Sequence, residues 1–80
     1  MEGSTIQHRL AAEGADPLML AGVNDANLQE LANLTGCRVI LRGDDLILSG
    51  PLVEVERTVP VAEHLVELAR MGVEFGPDEI

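Results

Sequence analysis

The sequence predicts a small α+β fold, a short antiparallel sheet with two helices over one of its faces. Three observations carry this expectation. Residues 38–42 and 45–49 are two β-rich runs flanking Gly43-Asp44. Residues 26–35 repeat their apolar side chains at a helical period and stop at a glycine. A longer helical stripe fills the interval between Pro51 and Gly72. The resulting order is β-α-β-β-α, about three strands, with an extra N-terminal strand as an open option.

The elements follow in order along the chain. Residues 1–16, the N-terminal arm, have no clean period, and Thr5–Leu10 fits a strand or a short helix equally. Asp16-Pro17 marks a boundary, because proline disfavours helix in the residue before it. Pro17–Ala21 is a short apolar run ending at Gly22, which reads as a buried strand. Gly22-Val23-Asn24-Asp25 is a turn, and Asn24 or Asp25 can offer a side-chain oxygen to cap the next helix. In the 26–35 helix, Leu28, Leu31, Ala32 and Thr35 share a face with Leu34 at its edge. Asn27, Gln29, Glu30 and Asn33 fall on the remaining surface. Gly36 suits the left-handed residue that ends a helix.

The hairpin is the clearest signal. A two-residue loop with glycine first suits a type II′ turn. That register pairs Leu41 with Leu46 and Val39 with Leu48 on one face. The other face pairs Ile40 with Ile47, Arg38 with Ser49, and Arg42 with Asp45 as opposite charges. A slip of one residue would destroy both patterns. The last helix starts near Leu52 or Val53 and runs to Met71. Val55, Val59, Ala62, Leu65, Val66 and Ala69 form its stripe, while Glu54, Glu56, Glu63, Glu67 and Arg70 face water. Pro60 removes the amide that would bond to the Glu56 carbonyl, so a kink or break is expected there. Residues 73–80 read as a linker.

Composition narrows the function. Fourteen acidic residues against five arginines and no lysine give a formal charge of −9. Nucleic-acid binders draw much of their affinity from a positive footprint, which this chain lacks in bulk. No run approaches a membrane span, and Met1–Thr5 has neither the basic nor the apolar region of a signal peptide. The single Cys37 cannot close an internal disulfide. Together these point to a cytoplasmic setting. His8 and His64 lack metal-ligand spacing and read as structural or solvated. Cys37 reads as a small buried hydrophobe. Asp44 and Asp45 at a hairpin tip fall short of a calcium loop's ligand count. Without lysine there is no P-loop, so this chain is not expected to hydrolyse ATP or to be an enzyme. Catalytic, metal and cofactor sites are therefore expected to be absent.

Leu20-Ala21-Gly22-Val23-Asn24-Asp25-Ala26-Asn27-Leu28, Gly36 with Arg38-Val39 to Arg42-Gly43, Ile47-Leu48-Ser49-Gly50 and Leu68-Ala69-Arg70-Met71-Gly72 occur in an order that resembles the N-terminal domain of PhoH-like ATPases. The frame over 17–72 is also similar to KH domains, nucleic-acid-binding modules with a Gly-x-x-Gly loop before a helix. The matching loop here is Gly22-Val23-Asn24-Asp25. Its middle positions lack a basic residue and its last glycine is Asp25, whose carboxylate opposes an approaching phosphate. The PhoH resemblance implies a parent P-loop ATPase, cytoplasmic and linked to RNA metabolism, with ATP and Mg belonging to an ATPase domain absent from this chain. Residues 73–80 would lead toward that domain.

Two readings of function follow. In the first, the chain is a non-catalytic accessory domain that positions RNA or contacts the ATPase core or a neighbouring protomer. Contact residues would be Gly22, Val23, Asn24, Asp25, Arg38 and Arg42, with Arg57 as a further phosphate contact. In the second, it is a protein-interaction or oligomerisation module with no nucleic-acid role, and Ile40 with Ile47 forms part of the contact.

Overall fold

Two residues of turn chemistry set the sheet. In the computed structural model of the chain, described over residues 5–80 apart from the side chain of Glu79, Arg38–Arg42 (β2) and Asp45–Pro51 (β3) pair antiparallel across Gly43-Asp44. The register is the expected one: Arg42 with Asp45, Leu41 with Leu46, Ile40 with Ile47, Val39 with Leu48 and Arg38 with Ser49. Gly43 takes φ 60° and Asp44 does not share a positive φ, which is the type II′ pattern. Leu46 and Leu48 are fully buried, and Val39 and Leu41 pack against the same core. The oil side of the hairpin faces inward.

The third strand is Thr5–Ala11 (β1), which pairs antiparallel with β3 to give the order β1-β3-β2. Its lack of period has a cause. Only Leu10 is buried, and Ile6 is half-buried, while His8 on the same face is exposed. The rest of the N-terminal arm, residues 1–4, lies outside the described residues.

Pro17–Ala21 (α1) is a helix, not the expected strand. A five-residue apolar run has no period of its own to decide between the two. Capping decides it. Asp16 Oδ1 accepts from the amides of Leu18 at 2.9 Å and Met19 at 3.4 Å, and Pro17 occupies the first helical position, where its missing N–H costs nothing. The expected α+β layout therefore stands, with the N-terminal strand that the sequence left open, β1, taking the place expected of 17–21.

Ala26–Thr35 (α2) follows a single 3₁₀ turn over Val23–Asp25. The expected side-chain cap does not form, because Asp25 sits at φ 61° and a capping residue needs an extended backbone to aim its oxygen at the first-turn amides. Leu28 and Leu31 are buried, and Gly36 closes the helix at φ 76° with its N–H on the Ala32 carbonyl. Asn27, expected on the surface, is only 1% exposed.

Leu52–Arg70 (α3) is continuous through Pro60, so of the expected kink or break, the break does not occur. Pro60 itself is exposed, and buried side chains on both sides of it, Val55 and Thr58 before, Ala62 and Leu65 after, hold the helix against the core. Thr58 satisfies its hydroxyl on the Glu54 carbonyl at 2.6 Å and lies 3.6 Å from the buried Cys37 sulfur. Arg70 does more than face water. Its guanidinium donates to the carbonyls of Glu13 at 2.7 Å and Ala11 at 3.2 Å, clamping the end of α3 to the end of β1.

One core joins these layers. Leu10, Leu46 and Leu48 from the sheet meet Leu20, Leu31 and Val55 from the helices. Ile47 is buried but stands outside that cluster, on the sheet's other face. Residues 73–80, expected to lead away, lie back against the helices. Phe75 and Ile80 pack on the core, and Val73 N–H bonds to the Leu68 carbonyl.

A candidate binding groove beside the free edge of β2

Alternation leaves the sheet with one face covered by helices and one bare. The bare face is a small grid whose rows follow from the two registers. Gln7, Ser49 and Arg38 form one row, Arg9, Ile47 and Ile40 the next, and Ala11, Asp45 and Arg42 the third. Three of the five arginines thus share one face of a chain whose formal charge is −9. Asp45 is the only carboxylate in those rows. It pairs with Arg9 at 3.4 Å, not with Arg42 as the cross-strand pattern suggests. Arg9 reaches it from β1, one diagonal step away, which the sequence does not reveal until β1 is placed beside β3. Arg38 and Arg42 are exposed, and no hydrogen bond or ion pair engages either side chain among the described residues.

Backbone hydrogen bonds have a matching polarity. The Ala12 amide donates to the Asp44 carbonyl at 2.7 Å, extending the β1–β3 ladder. Even-numbered residues of β3 therefore bond to β1, and the odd-numbered ones, Asp45, Ile47 and Ser49, bond to β2. On β2 their partners are Arg42, Ile40 and Arg38. The N–H and C=O groups of Val39 and Leu41 then point away from β3, along an edge that no other strand covers among the described residues. Cys37 has the same parity, and its N–H is taken by Thr35 Oγ1 at 3.3 Å. Val39 and Leu41 have no such internal partner among the described residues.

That edge forms one wall of a groove of about 730 Å³. The opposite wall is mostly apolar, built from Leu18 and Ala21 of α1 and Leu28 and Ala32 of α2, with Gln29 as its polar member. Gly22, Asn24 and Asp25 form its lip. The lip is rigidly specified. Gly22 sits at φ 80° and ψ 176°, and a Cβ there would lie 2.9 Å from Cγ and Nδ2 of Asn27. Asn24 at φ 55° and Asp25 at φ 61° are both left-handed, a conformation that asparagine and aspartate tolerate better than most residues.

The six residues singled out from the sequence are thus divided. Gly22, Asn24 and Asp25 line the groove. Val23 is 78% exposed and turns to the far side of the loop, over a second cavity bounded by Met19, Asn27 and Phe75. Arg38 and Arg42 stand on the bare sheet face, and Ile40 between them reaches the groove as well. Sequence reasoning misses Arg9 as their neighbour, and it misses the apolar wall. Leu18, 74% exposed, belongs to a run that reads in sequence as a buried strand.

His8 and His64 are both exposed, Cys37 is buried, and no group of three metal-ligating side chains occurs among the described residues. None of the described helices is long and apolar enough to cross a membrane. What the groove offers is a strip of unsatisfied backbone, an apolar wall and a pair of cations beside it, a geometry suited to holding an extended chain. No family model matches the sequence, and neither curated proteins nor solved structures give a significant match.

Proposed function

We propose that this chain is a non-catalytic accessory domain that makes protein contacts, similar in role to the KH-like N-terminal domain of a PhoH-like ATPase and engaging the ATPase core or a neighbouring protomer. The observation that carries this reading is the groove itself. An open strand edge facing an apolar helical wall matches the needs of a polypeptide, which brings backbone donors, backbone acceptors and aliphatic side chains together. At the lip, Asp25 stands where a KH loop would approach phosphate, and no cation among the described residues lines the groove. Electrostatics thus turns the KH-like frame away from the nucleic-acid backbone at that loop. On this reading the ATP and Mg of such an assembly are held by the ATPase domain.

A second reading has one specific observation in its favour. Arg9, Arg38 and Arg42 on the bare sheet face form a local positive patch that could meet RNA phosphates. Titration separates the two. A labelled single-stranded RNA and a PhoH-like ATPase domain supplied in trans are each added to the chain at low and at moderate salt. The protein-contact reading expects the ATPase domain to bind and the RNA to stay free even at low salt. RNA binding that falls steeply with salt, with no protein binding, would replace it by the second reading.

A further inference from the structure

We infer that the free edge of β2 accepts a fourth strand, an extended segment of a partner protein that carries a carboxylate two residues to either side of an aliphatic residue. This rests on reading the groove as a protein-contact site, and it adds the partner's chemistry and the mode of attachment.

The backbone argument comes first. Val39 and Leu41 each present one outward N–H and one outward C=O, so an incoming strand can form ladder bonds at both residues. Neighbouring strands lie about 4.8 Å apart, so the newcomer occupies the mouth of the groove between β2 and α2. Its alternate side chains then divide between two environments. Those beside Val39 and Leu41 turn toward Leu28 and Ala32, where small or β-branched residues fit. Those beside Arg38, Ile40 and Arg42 continue the bare face of the sheet.

Charge selects what stands on that face. Arg38 and Arg42 carry no ion-pair partner among the described residues, and Ile40 between them is 38% exposed. Directly opposite cross-strand positions favour opposite charges and aliphatic pairs. The complementary segment is therefore acidic, any, aliphatic, any, acidic. The same argument disfavours a second copy of this chain. The antiparallel pairing that overlaps all five residues of β2 with its own copy centres on Ile40 and sets each Arg38 against an Arg42. Like charges directly opposite are destabilising, and charged side chains on an edge are a common guard against self-pairing. The edge thus rejects its own copy and admits a strand with carboxylates.

The test uses the full chain labelled with ¹⁵N and two synthetic peptides. One is Thr-Glu-Thr-Ile-Thr-Glu-Thr, which reads the same in both directions, and the other replaces both glutamates by lysine. The expected result is that the glutamate peptide shifts the Val39 and Leu41 amides and slows their exchange, while the lysine peptide binds at least roughly tenfold more weakly. The double variant Arg38→Glu with Arg42→Glu, both exposed positions, should reverse that preference. Equal binding of the two peptides, shifts confined to other surfaces, or no binding up to millimolar peptide each overturns strand addition. A PhoH-like ATPase domain that binds without shifting Val39 and Leu41 also overturns it, yet leaves the accessory role standing. A single-stranded oligouridine that shifts these amides when neither peptide does overturns both.

Discussion

The side-chain amide of Asn27 donates to the carbonyl of Phe75, 3.3 Å away and 48 residues along the chain. The same nitrogen donates to the carbonyl of Met19 at 3.2 Å. One buried amide thus ties α1, the start of α2 and the C-terminal segment together beneath the groove's lip. Both neighbours are carbonyls, so the nitrogen must face them, and Oδ1 is left buried with no partner among the described residues. Replacing Asn27 by Ala should cost about 2 kcal/mol, since two buried acceptors lose their donor. Asn27→Asp should cost more, because a carboxylate would face two carbonyl oxygens. Urea unfolding of the three proteins checks the order.

Gly22 and Gly36 have similar positive φ values, 80° and 76°, yet should differ sharply on substitution. A methyl group at Gly36 would have nothing within 4 Å, so Gly36→Ala carries only the left-handed penalty, about 1–2 kcal/mol. At Gly22 the added methyl also meets Asn27 at 2.9 Å. Gly22→Ala should therefore lose clearly more stability than Gly36→Ala and displace the Asn27 contacts. Equal losses in thermal unfolding would contradict the packing of the lip.

The two faces of the hairpin predict opposite sensitivities. Leu48 is fully buried among the helices, and Leu48→Ala should cost about 2–5 kcal/mol. In a domain of this size that approaches the whole folding free energy, typically about 5–15 kcal/mol. Ile40→Thr, on the bare face, should cost less than about 1 kcal/mol while weakening partner binding. Circular dichroism during denaturant titration separates the two.

Arg70 and Arg9 are both exposed arginines with different expected weights. Arg70 donates to two backbone carbonyls that no other side chain engages among the described residues and pairs with Glu67 at 3.5 Å, so Arg70→Met should cost about 1–2 kcal/mol, most of it retained at high salt. Arg9 makes a single ion pair with Asp45, with side chains 64% and 37% exposed. Arg9→Gln should cost no more than about 0.5 kcal/mol, and added salt should remove the difference.

Much of the fold is legible in the sequence because alternation, turn chemistry and helix stops agree locally over 26–72. The hairpin register can be read outright, since Gly43-Asp44 fixes the loop and a slip would expose Leu46 and Leu48. The short segments resist for physical reasons. Pro17–Ala21 is too brief to show a period, and its state is decided by one capping carboxylate on Asp16. Thr5–Ala11 lies at a sheet edge, where few of its side chains are buried, so its alternation is weak. Asn27 reads as a surface residue because its burial depends on Phe75 and Met19, partners that only tertiary structure supplies. The candidate site is half legible. The loop and the β2 arginines can be singled out, but Arg9 joins them only through the β1 register. The groove exists only because α1 is a helix that turns Leu18 and Ala21 toward β2.

Hydrogen exchange of the individual β2 amides in the unliganded chain tests the open edge most directly. Ile40, bonded to β3, should exchange slowly, as should Leu46 and Leu48 in the central strand, whereas Val39 and Leu41 should exchange close to the rate of an exposed amide. Protection at Val39 and Leu41 equal to that at Ile40 would mean that the edge is already occupied, and the groove could not take another strand.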